Sequence, residues 1–238
     1  MSQGTLNAVF ENVVALREDA HSLIRRKSFG LSVHVSIAAR EETSKYLLLH
    51  CKEHLPPEIF RRRFQHLPKH KLSAAGFYVA GQIMTIHLIG ITAKSVKDDR
   101  RKAVMNGMSS IATGALDRGN PERTADMIMR ILSTNHAPDV AAAAKQAVEE
   151  VERDRTASIY VDVTDDLQIT SRPSDMTGMT AKRYLSRVDL GIAALKYIRD
   201  PAMTTHEYLR LVPKQLMPSF GPIVKWAKER AQLIDGIP

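Results

Sequence analysis

The densest chemistry in this 238-residue chain is a basic run from Arg61 to Lys71, reading RRRFQHLPKHK. Arg61, Arg62, Arg63 and Lys69 are side chains suited to phosphate oxygens, and His70 beside Lys71 sets a proton carrier next to a cation near neutral pH. A solvated basic loop would have the same composition. Spacing does not decide between them. Arginine followed after four to six residues by histidine can set a cation and a proton carrier on one phosphodiester. That spacing occurs at Arg61/His66, Arg63/His70, Arg130/His136 and Arg199/His206. Nine histidines sampled at three offsets give roughly two such pairs by chance, so the motif selects no site.

A second constellation lies in Ser36 to Leu49, SIAAREETSKYLLL. Leu31, Val35, Ala38 and Leu49 recur at helical spacing, and that stripe carries Glu42, with Lys45 one turn on. An acid on a core-facing stripe is costly unless it is paired. Glu41 and Lys45, four residues apart, are expected to form such a pair. The lone cysteine, Cys51, lies just past this helix and reads as a packing residue.

The elements that must position these groups read as helices. Leu6 to Arg26 carries Leu6, Val9, Val13, Leu16, Ala20 and Leu23 on one face and ends in cations that suit a helix C-terminus. Ser28-Phe29-Gly30 breaks the chain, so the glutamate-bearing helix folds back antiparallel to the first as a helical hairpin. Pro56 and Pro57 end that region, and a short helix starts at Glu58. Further helices are expected over Leu72 to Thr92, Lys97 to Leu116, Arg123 to Leu132, Val140 to Arg153 and Thr180 to Ile198, the last capped near Thr177. A turn separates two of them at Asp117 to Pro121. Ala157 to Asp162 and Gln168 to Thr170 favour extended structure, either as a small hairpin or as a loop on the helices. Beyond Asp200-Pro201 a proline-interrupted tail follows, closing in a helix around Val224 to Ile234. The fold class is mainly α.

The formal charge of +8, with 44% hydrophobic residues, describes a globular protein with a polyanionic partner. One cysteine allows no internal disulfide and suits a reducing cytoplasm. The start of the chain lacks the pattern of a signal peptide, and the apolar segment Gly76 to Ala93 is interrupted by Gln82, His87 and Gly90. Neither secretion nor membrane insertion is expected. No HExxH pair, cysteine cluster, phosphate-cradling glycine loop or Gly-x-Ser-x-Gly elbow is present, so no metal site and no cofactor are expected.

Three blocks in order resemble a known family. They are A-x-E-E-x-x-K at Ala39 to Lys45, the pair His70-Lys71, and R-x-x-x-x-Y-V-D at Arg155 to Asp162. Together they resemble the abortive infection protein V (AbiV) family, a branch of the HEPN superfamily, over about residues 5 to 195. One departure stands out: the family commonly has glycine before the lysine, where this chain has Ser44. The resemblance implies an HEPN-like helical bundle built on an antiparallel hairpin, here assigned to 1–200; the proline-punctuated tail with its terminal helix, 201–238, has no part in the resemblance. It also implies a cytoplasmic role in defence against phage, through metal-independent cleavage of RNA by a homodimer. Carried over residue by residue, it makes His70 the acid or base and Lys71 and Arg155 the phosphate ligands. Glu42 and Lys45 join them, with Glu42 orienting a basic partner. Glu41, Tyr160 and Asp162 support the site, and Arg61, Arg62, Arg63 and Lys69 bind RNA. The RNA target is left open among tRNA, rRNA and mRNA, and a phage-encoded activator or a cognate inhibitor is expected. The alternative is a non-catalytic HEPN module that binds RNA, a nucleotide or a phage protein.

Overall fold

The helix rich in alanine and leucine that carries the two glutamates is the one around which the others pack. The structure, a computed structural model, describes residues 3–61, 65–73, 79–80, 83–84, 99, 120–132, 138–163 and 165–221. Eight α-helices occur among them: α1 (Gln3–Arg25), α2 (Phe29–His50), α3 (Pro57–Arg61), α4 (His66–Leu72), α5 (Pro121–Leu132), α6 (Pro138–Ala157), α7 (Gly178–Arg199) and α8 (Thr205–Leu211). Two short strands, β1 (Asp162–Val163) and β2 (Ile169–Ser171), pair antiparallel. The expected helix over Lys97 to Leu116 lies outside the described residues except for Asp99, which is helical; of the turn expected at Asp117 to Pro121 only Asn120 and Pro121 are described, and the closing helix around Val224 to Ile234 lies outside them.

The antiparallel hairpin forms as expected. Ser32 Oγ donates to the Ala20 carbonyl at 2.9 Å, and further from the turn Asn12 donates to Glu42 at 3.2 Å. The turn between α1 and α2 is tighter than the Ser28-Phe29-Gly30 signal suggests. Lys27 N–H bonds the Ile24 carbonyl and Ser28 N–H the Leu23 carbonyl, which is a Schellman closure with Lys27 in the left-handed region at φ 58°. Gly30 is already inside α2. It is there because a side chain would collide: a Cβ would lie 2.7 Å from both the Pro173 and Ser158 carbonyl oxygens.

Helix α7 completes a three-helix layer. Arg199 donates to Asn7 at 2.9 Å and Arg17 pairs with Asp189 at 2.8 Å, so α7 runs antiparallel to α1. Gly178 packs on Phe29 and Gly191 on Thr43, so it runs parallel to α2. The hydroxyl of Thr177 caps it by accepting from Thr180 N–H, as expected at that end. The main core joins Leu6 and Val9 of α1, Tyr46 to Leu48 of α2, Leu190 and Leu195 of α7 and Ile128 of α5. Val79, Ala80, Ile83 and Met84, helical where described, bury in the same cluster. Tyr208, Val212, Leu216 and Phe220 from the segment after Pro201 bury there too. A smaller cluster joins Val33 and Ile37 to Val151, Ala181 and Tyr184.

Two expectations are corrected and one left open is decided. The stripe Leu31, Val35, Ala38, Glu42 and Leu49 is the outer side of α2, with Leu31 45% exposed, while Val33, Ile37, Glu41 and Ser44 face inward. The second half of the basic run, for which a solvated loop was one of two readings left open, is helix α4, since Pro68 sits in its first turn, where it costs no hydrogen bond. The extended segment expected from Ala157 starts later. Helix α6 runs to Ala157, Ser158 and Ile159 form a turn, and only then does the hairpin begin.

Two substitutions test the turn. Gly30→Ala forces α2 away from the Ser158 and Pro173 carbonyls and should cost about 1–3 kcal/mol in denaturant unfolding. Gly221→Ala, where a Cβ meets nothing within 4 Å, serves as the neutral comparison. Lys27→Gly should stabilise by about 0.5–1 kcal/mol by removing the left-handed strain at this position.

Candidate active site: a histidine between two glutamates

Glu41 points from α2 toward α4, and its burial demands cationic partners. Lys69 Nζ lies 3.6 Å from one of its oxygens and His70 Nε2 3.6 Å from the other. His70 Nε2 also lies 2.9 Å from Oε1 of Glu152 on α6. Glu152 in turn accepts from Arg155 Nε at 3.0 Å through its second oxygen. The array therefore runs Lys69, Glu41, His70, Glu152, Arg155 across three helices. Its inner end is closed, with His70 only 4% exposed, and its outer end, Glu152 and Arg155, is about one-third exposed.

Burial pulls the His70 ring below its ordinary pKa, and the pull of Glu41 and Glu152 in the other direction does not fully offset it. The ring is thus neutral at neutral pH. Ionised carboxylates can only accept, so Nε2 carries the proton and Nδ1 is the basic nitrogen of the neutral ring. Burial pushes the Glu152 carboxyl up, but Arg155 and His70 outweigh it and hold it below the usual range. For stability the two act in the same direction. A histidine and a carboxylate both lowered in the fold bind fewer protons than the unfolded chain, so their stabilisation is present at neutral pH and is lost on acidification.

Helix α4 is tied down from below. Ser44 Oγ donates to the Lys69 carbonyl at 2.8 Å, with the Arg40 carbonyl as its alternative acceptor at 3.1 Å. Ser44 stands where the resembling family has glycine, and this hydroxyl joins α2 to α4. Arg40 donates through Nη2 to Ser73 Oγ at 2.6 Å, and that hydroxyl donates to the His70 carbonyl at 2.6 Å. Beside it, Tyr184 donates to Asp154 Oδ2 at 2.8 Å.

The sequence-derived residues divide accordingly. Glu41, Lys69, His70 and Arg155 come together. Glu42 and Lys45 do not join them: they pair with each other at 3.2 Å on the side of α2 facing Asn12. The Glu41–Lys45 pair expected from spacing is replaced by this one, because Glu41 is turned inward to α4. Lys71 follows His70 on α4 and forms no ion pair among the described residues. Tyr160 is 59% exposed at the entry to the hairpin, and Asp162 contributes backbone to β1. Arg61 is exposed at the end of α3, whereas Arg62 and Arg63 lie outside the described residues. Sequence reasoning missed Glu152 and Arg40. Glu152 was legible as an i,i+3 partner of Arg155, and Arg40 as the neighbour of Glu41 on a helix with little outward surface. The i,i+4 histidine pairs His50/His54 and His66/His70 escaped it as well. Among the described residues no group of three or more His, Cys, Asp or Glu is placed to hold a metal ion.

A mainly helical bundle on an antiparallel hairpin, with a charged array on its inner helices, is consistent with the HEPN class. The family model for AbiV matches residues 2–193, and the chain belongs to the AbiV family of HEPN proteins. No curated protein and no solved structure matches it. No helix among the described residues is long and apolar enough to cross a membrane.

The dyad is testable without any activity. Glu152 raises the His70 pKa, so Glu152→Gln should lower it further in an NMR titration of the ring. Glu42→Gln, facing the other side of α2, should leave it unmoved. An unchanged His70 titration in Glu152→Gln would remove the dyad.

Proposed function

We propose that the protein defends a bacterium against phage by abortive infection, acting as a metal-independent endoribonuclease. The observation that carries this reading is the array in which Glu41 and Glu152 hold a neutral His70 beside Arg155, within the stretch matched to AbiV. In it His70 takes the proton of an RNA 2′-hydroxyl as that oxygen attacks the adjacent phosphorus. The bond to the 5′-oxygen breaks, and the leaving oxygen takes a proton from water, closing a 2′,3′-cyclic phosphate on the other fragment. Arg155 and Lys71 offset the charge that builds on the phosphoryl oxygens. Arg61, Arg62, Arg63 and Lys69 contribute cationic attraction for the strand. RNA approaches from the exposed Arg155 end, and the covered ring must open to it. A homodimer and a phage-encoded activator or cognate inhibitor fit this reading, since a standing ribonuclease would harm its host.

One observation favours a second reading. His70 is 4% exposed and held on both sides by carboxylates, as a bracing residue would be. On that reading the protein is a non-catalytic HEPN module that binds RNA, a nucleotide or a phage protein.

Incubation of the purified protein with tRNA or total RNA in EDTA separates the two. The ribonuclease reading expects cleavage that falls about 10²–10⁴-fold in His70→Ala, and falls in Arg155→Ala, with antiphage protection lost in both. RNA binding that survives His70→Ala and weakens with salt, without cleavage, supports the second reading. No cleavage, with protection unchanged in both variants, would sink the first.

A further inference from the structure

Among the described residues Arg40 is the guanidinium with the most buried, unmatched nitrogens. It is 8% exposed, and only one of its three guanidinium nitrogens has a partner, Ser73 Oγ. Nε and Nη1 are buried with no hydrogen-bond acceptor. Ser36 Oγ, one turn earlier on α2, is also buried without a partner. An unmatched buried guanidinium is among the costliest groups a fold can carry.

The surroundings sharpen the imbalance. Three guanidinium groups gather on the Tyr184 ring: Arg40 at 5.9 Å from its centroid, Arg183 at 5.8 Å and Arg187 at 5.4 Å. The carboxylates nearby are already engaged. Glu150 takes Arg183 at 2.7 Å, and Asp154 accepts from Tyr184 and Arg153 with Arg183 at 3.8 Å. Arg187, half-buried on α7, has no ion pair or hydrogen bond among the described residues. Burial first, and then repulsion from Arg187, pull the Arg40 guanidinium down to about 10. Two like charges thus approach one ring where α2 and α7 meet, one with unpaired N–H groups inside and one half-buried.

We propose that Arg40 and Arg187 form a phosphate-binding site. Guanidinium pairs match the oxygens of a phosphate with directed, charge-assisted bonds, and the bound anion supplies the missing counter-charge. The Ser73 hydroxyl links Arg40 to the His70 carbonyl, so the phosphate sits beside the Glu41–His70–Glu152 array. The phosphate belongs either to an RNA backbone or to a small ligand such as a nucleotide. The RNA source rests on the binding of RNA proposed above; the phosphate site itself does not.

The test uses the full chain and needs no cleavage. Thermal unfolding is followed in inorganic phosphate and in chloride at equal ionic strength, for the parent protein and for Arg187→Gln, Arg40→Met and Lys182→Gln. Lys182 is exposed on the same helix and controls for net charge. Phosphate should raise the parent Tm by about 3 °C, as should Lys182→Gln, while Arg187→Gln and Arg40→Met lose the increment. Arg40→Met should be no less stable than the parent in chloride, since it removes a charge without a counterion; a purely structural arginine would lower the Tm there. If Arg40→Met does not fold, Arg187→Gln alone decides. In parallel, binding of an uncleavable 2′-O-methyl oligoribonucleotide is measured by fluorescence anisotropy. Weakening of about tenfold in Arg187→Gln, against little in Lys182→Gln, assigns the site to an RNA strand. A phosphate increment without that weakening assigns it to a small phosphate ligand. No increment in the parent, or an equal increment in all four proteins, overturns the site. Absence of RNA cleavage leaves these measurements intact and bears only on the ribonuclease reading.

Discussion

A carboxylate inside a helix bundle must be met by cations or N–H donors, and meeting Glu41 is what draws the array together. Glu41 leaves α2 on its inward side, where water cannot solvate it, so α4 has to bring Lys69 and His70 to it. His70 then spans to Glu152, and Glu152 holds Arg155. Each link satisfies the charge the previous one buries. Breaking a buried pair at one end leaves the other group uncompensated, at about 3–5 kcal/mol, which is more than most single contacts in a domain contribute. The array therefore fixes how α4 and α6 sit on α2 and orients the imidazole, while burial keeps that ring neutral against the pull of the two carboxylates.

Helix types were largely legible, because α1, α5, α6 and α7 carry strong period or strong propensity. Thr177 marked the start of α7, and Pro138 stands where α6 begins. The facing of α2 was not legible. More than half of its circumference is buried, and apolar or small residues occupy both sides, so Leu31, Val35 and Ala38 looked as much like a core stripe as Val33 and Ile37. That phase error exchanged the roles of the two glutamates: Glu42 was expected among the acting groups with Glu41 in support, but Glu41 meets His70 and Glu42 pairs with Lys45 elsewhere. The pairing His70–Glu152 joins residues 82 apart and has no local signature at all. Arg155 could be marked as a candidate by resemblance and Glu152 as its neighbour one turn back, but the histidine that Glu152 meets could be found only where two helices cross.

The hydrophobic core does not stop where the family match stops. Residues beyond 193 continue α7 and then return, after a capping box at Thr204 and Glu207, to place Tyr208 against Tyr197 with ring centroids 5.1 Å apart. Val212, Leu216 and Phe220 fill the same cluster as Leu48 and Leu195. The prolines that mark this stretch as tail-like limit the length of its helices without removing their apolar faces. Apolar area removed from water stabilises the bundle at roughly 25 cal/mol per Å², wherever in the chain it comes from.

Helix α6 divides the buried charge into two compartments of different balance. Glu152 turns to α4, where Glu41 and Glu152 face Lys69 and Arg155 around a neutral His70, and positive and negative charges match. Glu150 and Asp154, one turn apart, turn to α7, where they face Arg183 and the Tyr184 hydroxyl. Arg40 and Arg187 join that second compartment without adding acids to it. A fold selected for stability alone would place an apolar side chain at position 40, because a packed methionine or leucine avoids the desolvation of a guanidinium. Arg40 instead stays charged while next to Arg187 and inside the bundle. The two compartments meet at Ser73, which bonds to Arg40 on one side and to the His70 carbonyl on the other. An anion drawn to the unbalanced side is therefore delivered next to the balanced one. The balanced array can keep a base neutral without an external charge, whereas the unbalanced pair reaches neutrality only with one.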